Sequence, residues 1–227
     1  MRWITPYTFG ARFYDWFSGE KLLYRAGRVA GIPLLHLQRG DVVLDVGCGT
    51  GLNFPLLSDA VGPDGLVIGL DSSPQMLRVA QRRIERSNLN NVRLLEADAV
   101  AFPPSIVAEV LTDAGRGPGV DALFASYALS VTTDWRAAWS NGLAVLRSDA
   151  RVGVVDMQPP TGRASLLAPL ARLACWMGGA DIRARPWTAV ETSCVDVEQV
   201  LVRGGHIVAT AGTLRSQCSE ASAGPRR

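Results

Sequence analysis

The chain is poor in the residues that carry metal and redox chemistry. Its 227 residues include four cysteines and two histidines. Cys48, Cys175, Cys194 and Cys218 show no CxxC or Cys/His spacing. That argues against a metal site and a disulfide framework, and for a reducing, cytoplasmic setting. Lysine is rarer still: Lys21 is the only one, so the basic residues are almost all arginine. The net charge of +2 is too small to make nucleic acid an expected partner. No apolar run is long enough to span a bilayer, and the N-terminus lacks the uninterrupted apolar segment of a signal peptide. Hydrophobic residues make up 48% and charged residues 19%, the balance of an ordered globular chain. The length suits one domain, residues 1–215. The small, polar tail 216–227 is expected to be disordered.

What is present is a rhythm. Strand-like runs at 42–47, 66–71, 92–98, 121–128 and 151–157 alternate with helical stretches after Gly51, at 74–87, 106–115 and 134–147. This βαβα order predicts an α/β fold, a doubly wound and mostly parallel sheet with helices on both faces. Ser73-Pro74 is a good helix start, with the proline at the first helical position. Residues 9–30 read as one or two amphipathic helices. After Pro159-Pro160, Ser165 is placed to cap a helix over 166–177 closed by Gly178-Gly179. Gly204-Gly205 suits a two-residue hairpin turn.

Residues 42–51, VVLDVGCGTG, concentrate the chemistry. A buried-strand run, interrupted by Asp45, breaks into Gly47, Gly49 and Gly51 and then hands the chain to a helix. Such a junction offers backbone N–H groups and lets backbone approach a ligand closely. Asp71 ends the next strand 20 residues beyond Gly51, where a carboxylate grips a ribose diol in nucleotide-binding βαβ units. The spacing is GxGxG, not the GxGxxG of dinucleotide enzymes. A carboxylate at Asp45 would repel a pyrophosphate, so it favours a cationic ligand. S-adenosylmethionine (AdoMet), with its ammonium and sulfonium, meets that requirement.

With LDVGCGTGLNFP, GLDSSPQML, LEADA (residues 95–99) and LFASYAL (123–129) in place, residues 10–160 closely resemble the class I AdoMet-dependent methyltransferases of the ubiquinone/menaquinone-biosynthesis type. The resemblance implies a seven-stranded sheet whose last strand is antiparallel. It implies that Asp45 and the Gly47–Gly51 backbone hold the methionine moiety, with Asn53 helping to orient it. Asp71 would take the ribose hydroxyls, and Ser72 and Met76 would line the adenine. Asp98 would accept from the adenine amino group beside the Ala99 N–H, and Ser126 would lie below the methyl group. Residues 1–40 would form a lid whose Tyr14 shields the sulfonium. Plainer alternatives stand beside these roles. Asp71 and Asp98 can be strand-end caps, Asn53 a helix-surface residue, and Tyr14 part of an aromatic stripe with Phe9, Phe13, Trp16 and Phe17. Cys48 reads as a small filler, and His36 and His206 as structural.

The sequence names no catalytic base. The insert 161–190 combines an apolar helix with Trp176, Trp187, Arg163, Arg172, Arg183 and Arg185, and the first forty residues carry six basic side chains against two acidic ones. Together they suggest an apolar pocket with a cationic rim for a small-molecule or lipid-like acceptor, with peripheral membrane contact, beside the plainer alternative that the insert helix is a core-packing cap. A more distant likeness joins FYDWFSG…LYRAGR to the bacterial phospholipid N-methyltransferases. Competing readings are an NAD-dependent oxidoreductase and a non-catalytic AdoMet-binding protein. Nothing in the sequence fixes an oligomeric state.

Overall fold

Strand and helix alternate as the pattern predicts. The computed structural model describes residues 24–177 and 179–215. It opens with α1 (Arg25–Gly31) and a 3-10 turn (Ile32–Leu35), then runs β1 (Val42–Val46), α2 (Phe54–Val61), β2 (Leu66–Asp71), α3 (Pro74–Arg86), β3 (Val92–Glu96), α4 (Pro104–Asp113) and β4 (Val120–Ser126). After a short 3-10 turn come α5 (Trp135–Leu143) and β5 (Leu146–Met157). A second 3-10 segment, Gly162–Leu167, leads into α6 (Ala168–Met177), α7 (Thr188–Ser193), β6 (Cys194–Val202) and β7 (Ile207–Leu214).

The seven strands lie in the order β3-β2-β1-β4-β5-β7-β6. β1 to β5 are parallel, and β7 runs antiparallel to both β5 and β6. The order reverses between β1 and β4, and a crevice opens beyond the carboxyl ends of the strands at such a reversal.

Period-two alternation sorts the side chains onto two faces. Val42, Leu44 and Val46 of β1 join Leu66, Ile68, Leu123, Val152, Trp135 and Trp139 in one core layer. Val43 joins Val67, Phe124, Phe54, Leu57 and Leu35 in the layer under α1, α2 and α3. Asp45 alternates with Leu44 and Val46, so it points into that second layer. Parity in the strand therefore decides which helices can reach the buried acid.

Local capping follows the sequence in part. Ser73, in extended backbone, accepts the Met76 N–H at 3.3 Å, and Asp134 caps α5 through the Ala137 N–H at 3.1 Å. Three expectations shift. α5 ends at Leu143 rather than near Arg147, because Leu146 already pairs with Val120 as β5 begins. Ser165 lies inside the 3-10 segment, where its carbonyl accepts the Ala168 N–H, and α6 starts only at Ala168. The hairpin turn takes four residues, 203–206, with Arg203, Gly204 and Gly205 all at positive φ and Val202 opposite Ile207. The aromatic stripe around Tyr14, the tail 216–227 and Gly178 lie outside the described residues.

Candidate active site at the strand tips

The β1–α2 loop wraps over the carboxyl ends of β1 and β2. Gly47 adopts φ +66°, and a Cβ there would lie 2.5 Å from the Ala128 Cβ, so only glycine fits against the β4 tip. Gly49, at φ +54°, has nothing among the described residues within 4 Å of where a Cβ would stand, which leaves this backbone room to meet a ligand. The Gly51 N–H closes the loop onto Cys48 O at 2.9 Å. From α3, Arg83 Nε donates to Thr50 O at 2.8 Å and clamps the loop from outside.

Below this loop sits a buried polar network. Asn53 Nδ2 donates to Asp45 Oδ1 at 2.8 Å and lies 3.0 Å from Ser126 Oγ. Ser126 Oγ in turn donates to Asn53 Oδ1 at 3.2 Å. Asp45 is fully buried, and its second oxygen, Oδ2, has no hydrogen-bond partner among the described residues. Such an atom is costly to leave unmatched, so its presence points to a cationic group received there. Burial raises the Asp45 pKa to about 7, against the lowering effects of the Asn53 hydrogen bond and the nearby Arg28 charge; Asp71 adds a smaller raising effect. Asn53 is thus a buried linker between two strand tips, not the helix-surface residue of the plainer alternative.

Asp71 holds the loop to the next helix. Its Oδ2 accepts the Gly49 N–H and its Oδ1 the Ser73 N–H, each at 2.8 Å. Burial raises its pKa, and these two N–H groups pull it back. The carboxylate is therefore a cap as well as a candidate ribose acceptor, since each oxygen has two lone pairs. Met76 is buried beneath this end of the crevice and Ser72 is exposed. Asp98 is exposed at the end of the next strand, where Oδ1 accepts the Val100 N–H at 2.9 Å, and Ala99 is half-buried beside it. Tyr14 lies outside the described residues.

The remaining predicted residues divide plainly. Cys48 is buried, and burial carries its thiol well above the ordinary range, so it is inert filler. His36 lies 2.6 Å from Glu198 on the surface. His206 Nδ1 lies 2.5 Å from Gln158 O and braces the hairpin. Trp187 belongs to the core layer that holds Trp139 and Val190, as the core-packing alternative for the insert has it, and not to an acceptor pocket. Among the described residues no group of His, Cys, Asp and Glu is arranged to hold a metal, and no helix is long and apolar enough to cross a membrane.

The glycine loop, the unmatched buried carboxylate oxygen and the strand-end acids at Asp71 and Asp98 fit an AdoMet-shaped ligand laid across the β1, β2 and β3 tips. The comparisons with known proteins agree. Residues 43–149 match the family model described as a methyltransferase domain.

Residues 43–149 are a class I AdoMet-dependent methyltransferase domain.

A demethylmenaquinone methyltransferase of Listeria welshimeri is 39% identical over 72 residues, covering 32% of this chain and 30% of that protein. One from Geobacillus stearothermophilus is 41% identical over 69 residues, covering 30% of each. The chain thus spans under a third of the length of the curated relatives it matches. Among solved structures, a SAM-dependent methyltransferase from Aquifex aeolicus aligns with a TM-score of 0.57 at 19% identity, over 86% of this chain and 93% of that one. An N-methyltransferase 2 of Haemonchus contortus, solved with phosphomonomethylethanolamine and S-adenosylhomocysteine, aligns with a TM-score of 0.66 at 14% identity, over 92% of this chain and 57% of that one. Both share the fold of this methyltransferase domain.

Three residues of the domain carry geometry that the sequence reading assigned to none of them. Arg28, on α1, is buried with its guanidinium 5.1 Å from the Tyr127 ring centroid. Tyr127 takes a left-handed φ of +55° just past β4, unusual for an aromatic residue. Its ring meets Tyr24 edge-on at 4.9 Å, and its hydroxyl donates to Tyr24 O at 2.9 Å. Asp156, fully buried near the end of β5, accepts the Ser130 N–H at 3.1 Å and the Met157 N–H at 2.8 Å. Burial lifts its pKa to about 6, with the bonds from Ser130 and Met157 acting against the rise. Tyr127 lies in LFASYAL and Asp156 in the strand run 151–157, but neither stretch announces the partners these residues meet.

Proposed function

We propose that the protein transfers the methyl group of AdoMet to a small, lipid-like acceptor received above the tips of β4 and β5. The observation that carries the reading is Asp45 Oδ2, a buried and unmatched carboxylate oxygen under an open glycine loop. When bound, AdoMet supplies an electrophilic methyl group on sulfur.

The chain's own residues bind, orient and exclude water. Asp45 meets the ammonium, with Asn53 fixing the carboxylate and passing the constraint to Ser126 below the transfer point. The backbone of residues 47–51 follows the methionine moiety. Asp71 takes the ribose hydroxyls with the lone pairs left beyond its two N–H bonds. Ser72 and Met76 border the adenine, and Asp98 with the Ala99 N–H reads its amino edge. In-line displacement at sulfonium asks chiefly for alignment and dehydration, which such a site supplies without a dedicated base.

The acceptor reading draws on two observations. Met157, Cys175 and Ile182 form a small apolar cluster with Tyr24 and Tyr127 flanking it at the strand tips. A recess of about 410 Å³ lies between Ser130, Trp135 and the insert residues Gly179, Asp181 and Ala184; Thr132, Thr133, Asp134 and Arg136 make its lining mostly polar, so it supports room for a small acceptor and not its lipid character. Curated relatives that bear a quinone precursor in their names add weight to a lipid-like ring compound.

The test has two stages. Titration calorimetry should show AdoMet and S-adenosylhomocysteine binding and NAD not binding. NAD binding without AdoMet would overturn the reading. Incubation with isotope-labelled AdoMet and lipid, quinone and phenolic extracts should then label a small apolar product. Tight AdoMet binding with no S-adenosylhomocysteine released from any extract would mark a non-catalytic binder.

A further inference from the structure

The loop after β3 is organised around one peptide plane. Asn141, near the C-terminal end of α5, donates from Nδ2 to Ala99 O at 3.2 Å and to Val100 O at 2.5 Å. The N–H of the same Ala99–Val100 peptide goes the other way, to Asp98 Oδ1 at 2.9 Å. A trans peptide points its carbonyl and its N–H in opposite directions, and its plane resists rotation. Asn141 at one edge and the Asp98 carboxylate at the other are therefore tied together through a single rigid unit.

Each contact alone has a plain explanation. Asn141 satisfies two carbonyls of a half-buried loop, and Asp98 closes a short turn on its own backbone. Together they do more. Asp98 is exposed, and an exposed carboxylate on a free loop spreads over several rotamers. This loop is not free. Ala97 N–H donates to Asp71 O at 3.1 Å and Ala101 N–H to Asp98 O at 3.0 Å. Ala97, Ala99 and Val100 pack against the core layer that holds Trp139. Asp98 thus keeps one oxygen on the peptide and leaves its carboxylate lone pairs beyond that bond for another donor. An acceptor fixed at a strand tip from the helix behind it can tell an amino group from an oxo group.

We propose that Asn141 is a positioning residue for base recognition. Through the Ala99–Val100 peptide it orients Asp98 to accept from the adenine amino group, so that the site selects an amino-bearing purine over its oxo counterpart. The proposal rests on the AdoMet reading above and on the place that reading gives Asp98. It adds α5 to the cofactor site without requiring any α5 side chain to touch the ligand.

The test is calorimetric and uses two ligands that differ only at the base. S-adenosylhomocysteine carries the amino group, and S-inosylhomocysteine carries an oxo group in its place. The full-length wild type should bind the adenosyl compound roughly 10- to 100-fold more tightly, because the oxo group sets an acceptor against Asp98. Asn141→Leu and Asn141→Asp both remove the donor at nearly constant size. Either one should shrink that preference about 10-fold by weakening the adenosyl compound alone. A wild-type preference that survives in a folded variant overturns the role of Asn141 and leaves the Asp98 and AdoMet readings standing. A variant that weakens both ligands equally overturns it too, since that is the signature of a residue that only holds the fold. Equal wild-type affinity for the two ligands overturns the roles of Asp98 and Asn141 together. A wild type that binds neither overturns the AdoMet reading itself.

Discussion

Replacing Asp45 with asparagine should stabilise the unliganded protein at alkaline pH while abolishing AdoMet binding. Asp45 is fully buried, with one oxygen held by Asn53 and the other unmatched. Its pKa is raised from 3.8 to about 7, chiefly by burial. The folded state thus holds this proton more tightly than the unfolded chain. Its contribution to stability is complete below the ordinary carboxylate range and is lost as pH rises through about 7. At about 1.36 kcal/mol per pH unit, the loss approaches roughly 4 kcal/mol above neutrality. Asparagine keeps an oxygen for Asn53 and carries no charge, but its amide leaves a buried N–H unmatched at a cost of about 1–3 kcal/mol. The net gain at alkaline pH is about 1–3 kcal/mol, or roughly 2–10 °C in melting temperature for a domain of this size. Thermal melts of both proteins at about pH 5 and about pH 9 bracket the titration. Asp156, also raised, is common to both proteins and cancels in the difference. The variant's advantage should appear only at the higher pH, and AdoMet should raise the melting temperature of the wild type alone. A gap that fails to widen with pH refutes the raised carboxyl, and an AdoMet-induced shift that survives in Asp45→Asn refutes its role toward the ammonium.

Three further outcomes are expected. Asp71→Ala removes the acceptor for the Gly49 and Ser73 N–H groups as well as the proposed ribose contact, so the AdoMet dissociation constant should rise roughly 10- to 100-fold by calorimetry; an unchanged constant would sink the ribose assignment. Gly27→Ala drives a methyl into Tyr127 Oη, Ile207 and Val155 and should cost about 1–3 kcal/mol in urea unfolding; a neutral effect would show that α1 does not dock as closely as described. The basic first forty residues, with Leu166 and Leu170 exposed at 88% and 65% on the insert, should bring the protein down with anionic liposomes in low salt and release it in high salt. A protein that stays in the supernatant has no such membrane preference.

Much of the domain was readable in order along the chain because its signals are local. Apolar strand runs, the Ser73-Pro74 start and the glycines after β1 act within a few residues, and Asp45 stood out as an acid inside an apolar run. From these come the βαβα order, the sheet class and the cationic preference of the crevice. Element ends were harder. β5 begins five residues before the expected Arg151 because Leu146 finds Val120 across the sheet, a pairing that no local signal announces.

What only the tertiary structure decided are the meetings between distant segments. Asn53 became a buried link because Ser126, 73 residues away, ends the strand beside β1. Trp187 went to the core and not to the acceptor because the end of the insert packs on the sheet face that holds Trp139. Tyr127 reaches Tyr24 across 103 residues, and that contact seats α1 with Arg28 buried against the Tyr127 ring. In the sequence, Arg28 is one arginine of a basic amphipathic stretch. Burial against that ring sets it apart, and burial belongs to the packed molecule, because a charge taken out of water is defined by the neighbours that replace the water.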